Sequence, residues 1–470
     1  MRHTTTMLLL VLAAVGLLAG GTTVRAQPFD YPSAKPSTSW ANTDASLTHH
    51  VTYSDGSVAR AALLRLNPAG FGPSFAFGFF CTNHNNGALP CTSFLLGVAV
   101  VYSNSGGLMT SLTAGIPQVV WSANRGRPVG EGATLQFTAA GELVLRASSN
   151  GAVVWSTGTH AGKPVAGMSI NSDGNLVLFD GNNKPVWQSF DHPTDTLLIG
   201  QNLRQGARLV ANTSAANWTE SRIYLTVSDD SLSAYVNASP QPQRYYHLAF
   251  SKQTASSSPA YLSYANGSLT VRTQPGGDEL VTFQLPTVAM GTVQYMRLEH
   301  DGHLRLYEWN PAGWAPIYDI IRLFPDDCAF PTVCGAYGVC TEMQCSCPDA
   351  DNFRPVDFRR PNRGCVPLRT TPSACGGAKS NKQRLVSLQN MVYFNDPATS
   401  MRALERVSED ACKKACLDDC KCVAAQFVYG ADARDGSCYL QSEVFSLQTS
   451  QPEVRHYNST VHLKVQVKSP

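Results

Sequence analysis

The chain has 470 residues, 43% hydrophobic and 15% charged, with a formal net charge of +2. Residues 1–26 hold Arg2 and Arg25 and no acid, so the remainder carries 34 basic and 34 acidic side chains. So even a balance offers no electrostatic footprint for nucleic acid or an anionic membrane, and the length leaves room for about three or four domains.

Met1-Arg2-His3 precedes an apolar run from Met7 to Ala19 and small residues ending Val24-Arg25-Ala26, the layout of a secretory signal peptide cut after Ala26. The apolar run falls short of the ~20 residues a membrane helix needs. No later segment is long and apolar enough to span a bilayer, and the polar end His462–Pro470 carries no lipid-anchor tail. A secreted, extracellular protein is expected. Its fourteen cysteines, an even number, then point to disulfides rather than metal ligands. The sequons at Asn212, Asn217, Asn237, Asn266 and Asn458 suit the same compartment, Asn237 least because Pro240 follows its acceptor serine.

Residues 27–45 are rich in Pro, Ser and Thr and read as a linker. From 46 to 192 the chain repeats itself. Val120-Trp121, Val154-Trp155 and Val186-Trp187 recur at steps of 34 and 32 residues. Gly141-Glu142-Leu143-Val144-Leu145-Arg146 lies 33 positions before Gly174-Asn175-Leu176-Val177-Leu178-Phe179. Such a period marks one supersecondary unit used several times, too small to bury a core alone. The alternation in Leu135-Gln136-Phe137 is a strand signal, and Gly, Asn and Asp between the runs supply turns. A three-sided β-prism follows. Cys81 and Cys91 flank a turn-rich insert and would staple a loop.

Residues 200–325 contain no cysteine but carry a second repeat: Asp229-Asp230-Ser231-Leu232, Asn266-Gly267-Ser268-Leu269 and Asp301-Gly302-His303-Leu304, at steps of 37 and 35 residues. A second β-prism is inferred, with three unrelated hairpins as the alternative. Cys328, Cys334, Cys340, Cys345, Cys347 and Cys365 then crowd into residues 326–366, a segment too poor in apolar residues to fold without staples. Asp326-Asp327 offers too little of a calcium pattern, and no metal or cofactor is expected. From 375 to 467 one helix is predicted after Ser408, a natural N-cap followed by Glu409 and Asp410, with Cys412 and Cys416 on one face.

Ile170-Asn171-Ser172-Asp173-Gly174-Asn175-Leu176-Val177-Leu178-Phe179-Asp180 resembles the sugar-binding strand of the bulb-type, monocot mannose-binding lectins. Val119–Arg125 and Val186–Leu198 resemble the flanking signatures of that domain in plant S-locus glycoproteins and S-domain receptor kinases. The resemblance implies a mainly β fold. Tandem β-prism II domains, bulb-type lectin at 46–192 and S-locus glycoprotein at 200–325, would precede an EGF-like module and an α+β PAN/apple domain. It also implies the pairs Cys328–Cys340, Cys334–Cys345, Cys347–Cys365, Cys412–Cys438 and Cys416–Cys422, leaving Cys375 and Cys420 for each other.

In the lectin family the sugar pocket is a strand reading Gln-x-Asp-x-Asn-x-Val-x-Tyr, whose alternate positions share one side. Onto this chain it falls as Asn171, Asp173, Asn175, Val177 and Phe179. Asn171 is a methylene shorter than glutamine, and Phe179 lacks the tyrosine hydroxyl. One lost hydrogen bond costs ~0.5–1.5 kcal/mol, against ~4 kcal/mol for an entire millimolar affinity. The alternative for this stretch is plain hairpin chemistry, Asp173-Gly174-Asn175 being a turn sequence. The corresponding sets Thr138, Ala140, Glu142, Val144, Arg146 and Glu299, Asp301, His303, Arg305, Tyr307 keep less of the pattern.

No Gly-x-Ser-x-Gly, His-Glu-x-x-His or phosphate loop occurs, and the acid-base trio Asp191, His192 and Asp195 falls in a stretch the resemblance marks as structural. The expectation is a secreted, non-catalytic recognition glycoprotein of the plant apoplast or cell wall. Its partner would be a mannose-type glycan or a wall or receptor ectodomain protein, with homo- or heterodimers left open. A degenerate lectin scaffold for protein recognition, or a structural wall protein, is the alternative.

Overall fold

The computed structural model describes residues 30–47, 49–81, 91–110, 115–250, 258–273, 277–311, 313–369, 383–394 and 404–467. Residues 1–26, read from the sequence as a signal peptide, and Cys375 lie outside them. The fold is mainly β, built mostly from antiparallel strand pairs; among the described residues one helix is longer than a single turn, Glu409–Asp418.

The first prism has three sheets. The hairpin strands Thr134–Phe137, Leu143–Arg146 and Val153–Ser156 make one side, and Gly167–Ile170, Leu176–Phe179 and Pro185–Gln188 another. The third side, from His49–Thr52 to Gln118–Ser122, is longer, and its central strands Val58–Arg65, Phe71–Cys81 and Leu95–Asn104 are buried on both faces, as the continuous apolar run Leu95–Val101 requires. Leu135, Phe137, Leu143, Leu145, Leu176 and Leu178 are fully buried on the shared axis, realising the alternation in the sequence. Trp121, Trp155 and Trp187, one from each side, form a ring of mutual edge-to-face contacts, with centroids 5.7–5.9 Å apart and planes at 68–71°.

Residues 33–41, expected to be linker, are instead part of the first prism. Ser33–Ala34 pairs with Gly167–Ile170, and Thr38–Ala41 pairs with Thr134–Phe137, so each supplies the fourth strand of a prism sheet. The second prism repeats this plan. Thr196–Leu198, Asn202–Arg204 and Arg208–Ser214 each open a different sheet, and the hairpins that follow fill those sheets in reverse order. Leu232, Leu269 and Leu304 sit one in each sheet, all fully buried in one core.

The prisms share a seam. Tyr295 of the second packs into the core of the first and donates its hydroxyl to Gln118 Oε1 at 3.0 Å. Asp195 lies at this seam. Its carboxylate accepts from Thr196 Oγ1 at 2.9 Å and Asn212 Nδ2 at 2.9 Å, with Arg297 Nε 3.6 Å away.

Disulfides Cys328–Cys340, Cys334–Cys345 and Cys347–Cys365 hold the cysteine-rich segment. Its hairpin strand Val339–Thr341 runs parallel to Leu447–Thr449, so it shares a sheet with the C-terminal domain. There the helix is capped by Ser408, whose Oγ accepts from Ala411 N, and it lies against a five-stranded antiparallel sheet. Cys412–Cys438 and Cys416–Cys422 tie helix to sheet and to its own C-terminal turn. Cys81–Cys91 closes the loop in the first prism, and no cysteine among the described residues is free.

Candidate functional site

The candidate sugar strand is part turn and part strand. Asn171 N donates to Asn175 O at 3.0 Å, and Gly174 takes a left-handed φ of 83°. A side chain at Gly174 would strike the Phe75 ring and Leu198, with a Cβ only 2.6 Å from Phe75 Cε1. Regular strand begins at Leu176, with Leu176 and Leu178 inward and Val177 and Phe179 half-buried on the outer face. Five alternate positions therefore do not form one straight row. Asn171 Oδ1 caps the turn, accepting from Asp173 N at 3.2 Å and Asn175 N at 2.9 Å. Asp173 is exposed at the tip.

Asn175 is 6% exposed, and its amide is spent on the framework. Nδ2 donates to Gln188 Oε1 at 3.0 Å, while Oδ1 accepts from Ser189 Oγ at 3.1 Å and Phe190 N at 3.2 Å. Gln188 was not among the sequence candidates. It pairs with Val177 across the sheet, as Ser169 does on the other side, so both border that valine on the outer face. Gln188 Nε2 donates on to Asp191 Oδ2 at 3.0 Å, and Arg204 Nη2 reaches Asp191 Oδ1 at 2.7 Å. The Phe179 ring lies over Gly167, where a Cβ would be 2.7 Å from Cζ.

The acid-base trio is divided among separate tasks. Asp191 anchors the network just described, and Asp195 belongs to the seam. His192 stacks on Trp187 at 5.3 Å, while its carbonyl accepts from Trp121 Nε1 at 2.9 Å. Among the described residues, no group of three His, Cys, Asp or Glu side chains is gathered to hold a metal.

The other two sets satisfy their polar groups internally. Glu142 Oε2 is 3.2 Å from His160 Nδ1, and Arg146 Nε donates to Gln136 Oε1 at 3.2 Å. In the second prism Tyr307 donates to Glu299 Oε1 at 2.8 Å and Arg305 Nη1 to Asp301 Oδ2 at 2.8 Å. His303 stacks on Phe330 at 3.8 Å, with Nδ1 2.5 Å from Asp319 Oδ2. Asp301, His303 and Arg305 line a cleft of about 810 Å³ that also touches Arg363 and Glu443.

Of the sequons, Asn217, Asn237 and Asn266 are exposed and Asn458 is half-buried. Asn212 is half-buried with both side-chain atoms engaged, Oδ1 by Arg125 Nη2 at 2.8 Å and Nδ2 by Asp195 at 2.9 Å.

A three-sided prism of antiparallel sheets, with a turn-and-strand face of this kind, defines a lectin-type domain. Residues 118–219 match the D-mannose binding lectin family and residues 375–445 the PAN-like domain family. The chain is 31% identical to EP1-like glycoprotein 1 of Arabidopsis thaliana over 354 residues, covering 68% of this chain and 75% of that one. It is 35% identical to the epidermis-specific secreted glycoprotein EP1 of Daucus carota over 273 residues, 50% of this chain and 69% of that one. A G-type lectin S-receptor-like serine/threonine-protein kinase of Arabidopsis, SD2-5, is 25% identical over 80% of this chain and 42% of its own. The chain belongs to the EP1-like family of lectin-domain glycoproteins, and like them it is non-catalytic. Among the described residues no helix is long and apolar enough to cross a membrane.

Proposed function

We propose that this is a secreted recognition glycoprotein of the plant apoplast or cell wall, binding mannose-type carbohydrate weakly on the first prism. The observation that carries this reading is the exposed Asp173 beside a strand that turns Val177 and Phe179 outward, within the segment matched to a mannose-binding lectin family. Asp173 would accept from sugar hydroxyls, Val177 and Phe179 would pack against the apolar ring face, and Ser169 and Gln188 would border it. Asn171 and Asn175 shape the turn and frame rather than the contact, which leaves few direct hydrogen bonds and supports weak binding. Secretion is supported by the signal-like start and by the carrot relative's description. We read the domains as prisms at 46–192 and 200–325, the first with strands borrowed from 33–41. An EGF-like module at 326–366 and a PAN/apple domain at 375–467 complete the chain.

A second reading has its own support. With the Asn175 amide consumed by Gln188, Ser189 and Phe190, the prism serves as a scaffold for a protein partner such as a receptor ectodomain. A glycan array probed with the secreted protein separates the two. Signal on mannosylated glycans supports the first reading, and an array without signal supports the second.

A further inference from the structure

Asn212 carries a sequon, Asn212-Thr213-Ser214, in the strand Arg208–Ser214 that opens a second-prism sheet. Its side chain is not turned to solvent. Oδ1 accepts from Arg125 Nη2 at 2.8 Å, and Nδ2 donates to Asp195 Oδ2 at 2.9 Å. Both partners are buried, Arg125 at 6% exposure and Asp195 at 4%. Arg125 comes from the first prism and also donates through Nε to Trp218 O at 3.3 Å, on the partner strand of Asn212. The asparagine is thus the middle of a three-residue clasp, Arg125–Asn212–Asp195, across the prism seam.

Glycosylation acts on Nδ2. The product is a secondary amide, which holds its substituent on the same side as the carbonyl oxygen, as a trans peptide does. Here that oxygen is hydrogen-bonded by the Arg125 guanidinium. A sugar at Asn212 would displace the guanidinium from Oδ1 and leave a buried cation short of an acceptor, which is costly. Asn217, five residues on, is built differently. It is exposed, and its Oδ1 accepts from Thr219 N at 3.1 Å and Thr219 Oγ1 at 2.8 Å, the threonine of its own sequon.

We propose that the sequon at Asn212 is silent in the secreted protein, its amide serving as the clasp between the prisms, and that Asn217 is the glycan acceptor of this hairpin. A chain modified at Asn212 cannot close the seam and is lost before secretion.

The test is enzymatic deglycosylation of the secreted wild-type protein in heavy-oxygen water, which marks each former glycan site, followed by peptide mass spectrometry. The mark is expected at Asn217 and absent from Asn212; a mark at Asn212, or none at Asn217, overturns the proposal. Two variants check the clasp independently, since both delete the Asn212 sequon. Ser214→Ala leaves the clasp intact, removing only the turn bonds from Ala216 N and Asn217 N to Ser214 Oγ, and should be secreted at wild-type mass. Asn212→Gln shifts the amide by a methylene and should lower both the melting temperature and the yield. A Ser214→Ala protein lighter by one glycan, or an Asn212→Gln protein as stable as wild type, contradicts it.

Discussion

Trp121 and Trp187 belong to different sides of the first prism and meet edge to face with ring centroids 5.7 Å apart. Trp155 completes the ring at 5.9 Å from Trp121 and 5.8 Å from Trp187. The repeat in the sequence is the spacing that brings one indole per side to a common axis. Trp121 is 6% exposed, while the other two are half-buried. Trp121→Ala should therefore cost about 3–5 kcal/mol, and Trp155→Ala or Trp187→Ala less. Denaturant unfolding of the three secreted variants checks the order; equal losses would mean the ring is not one packed unit.

Leu232, Leu269 and Leu304 occupy corresponding places in the second prism and are all fully buried. Replacing any one with Asp buries an unpaired charge and should abolish secretion. Ile317, 37% exposed on the same prism, provides the control: Ile317→Asp should be secreted normally. Secretion of all three leucine variants at wild-type yield would contradict the shared core.

His462 is buried in the C-terminal domain, with Nδ1 2.9 Å from Ser387 Oγ. Its Nε2 lies 3.3 Å from Glu409 Oε1 without hydrogen-bond alignment. Burial, reinforced by the Lys413 charge, pushes its pKa from 6.5 down to about 4. Between those values the unfolded chain binds a proton that the folded one refuses, so stability falls with pH across that window. The full effect is about 3 kcal/mol. In unfolding titrations between those pH values, His462→Gln should have a shallower dependence than wild type, by about one proton. Parallel slopes would remove His462 from the acid response.

Both prisms were legible because their signals are local and repeated: an Asx turn beside an alternating apolar run, recurring at a fixed period. The helix was legible from Ser408 and the acids after it. Ser33–Ala34 and Thr38–Ala41 were not, because strands of two and four residues in a Pro- and Ser-rich stretch carry no alternation of their own. Their partners, Met168–Ser169 and Thr134–Phe137, lie more than ninety residues away. The fate of Asn175 was hidden for a related reason. Its claimants, Gln188 and Ser189, stand thirteen and fourteen residues on, across a hairpin. At the seam, Asp195 lay in a recognisable signature, while Arg297 and Asn212, which come to it from the second prism, gave no signal of doing so.

Carbohydrate recognition is tested most directly by calorimetric titration of a mannosylated glycan into wild type, Phe179→Tyr and Asp173→Ala. Wild type should bind in the millimolar range. Phe179→Tyr adds the hydroxyl of the lectin pattern and should bind about two- to tenfold more tightly, the equivalent of one hydrogen bond of ~0.5–1.5 kcal/mol. Asp173→Ala should abolish binding while leaving the melting temperature unchanged, since Asp173 is exposed and Gly174 keeps the turn. No heat of binding from either wild type or Phe179→Tyr at millimolar sugar would contradict carbohydrate recognition on this face and leave the prism as a protein-binding scaffold.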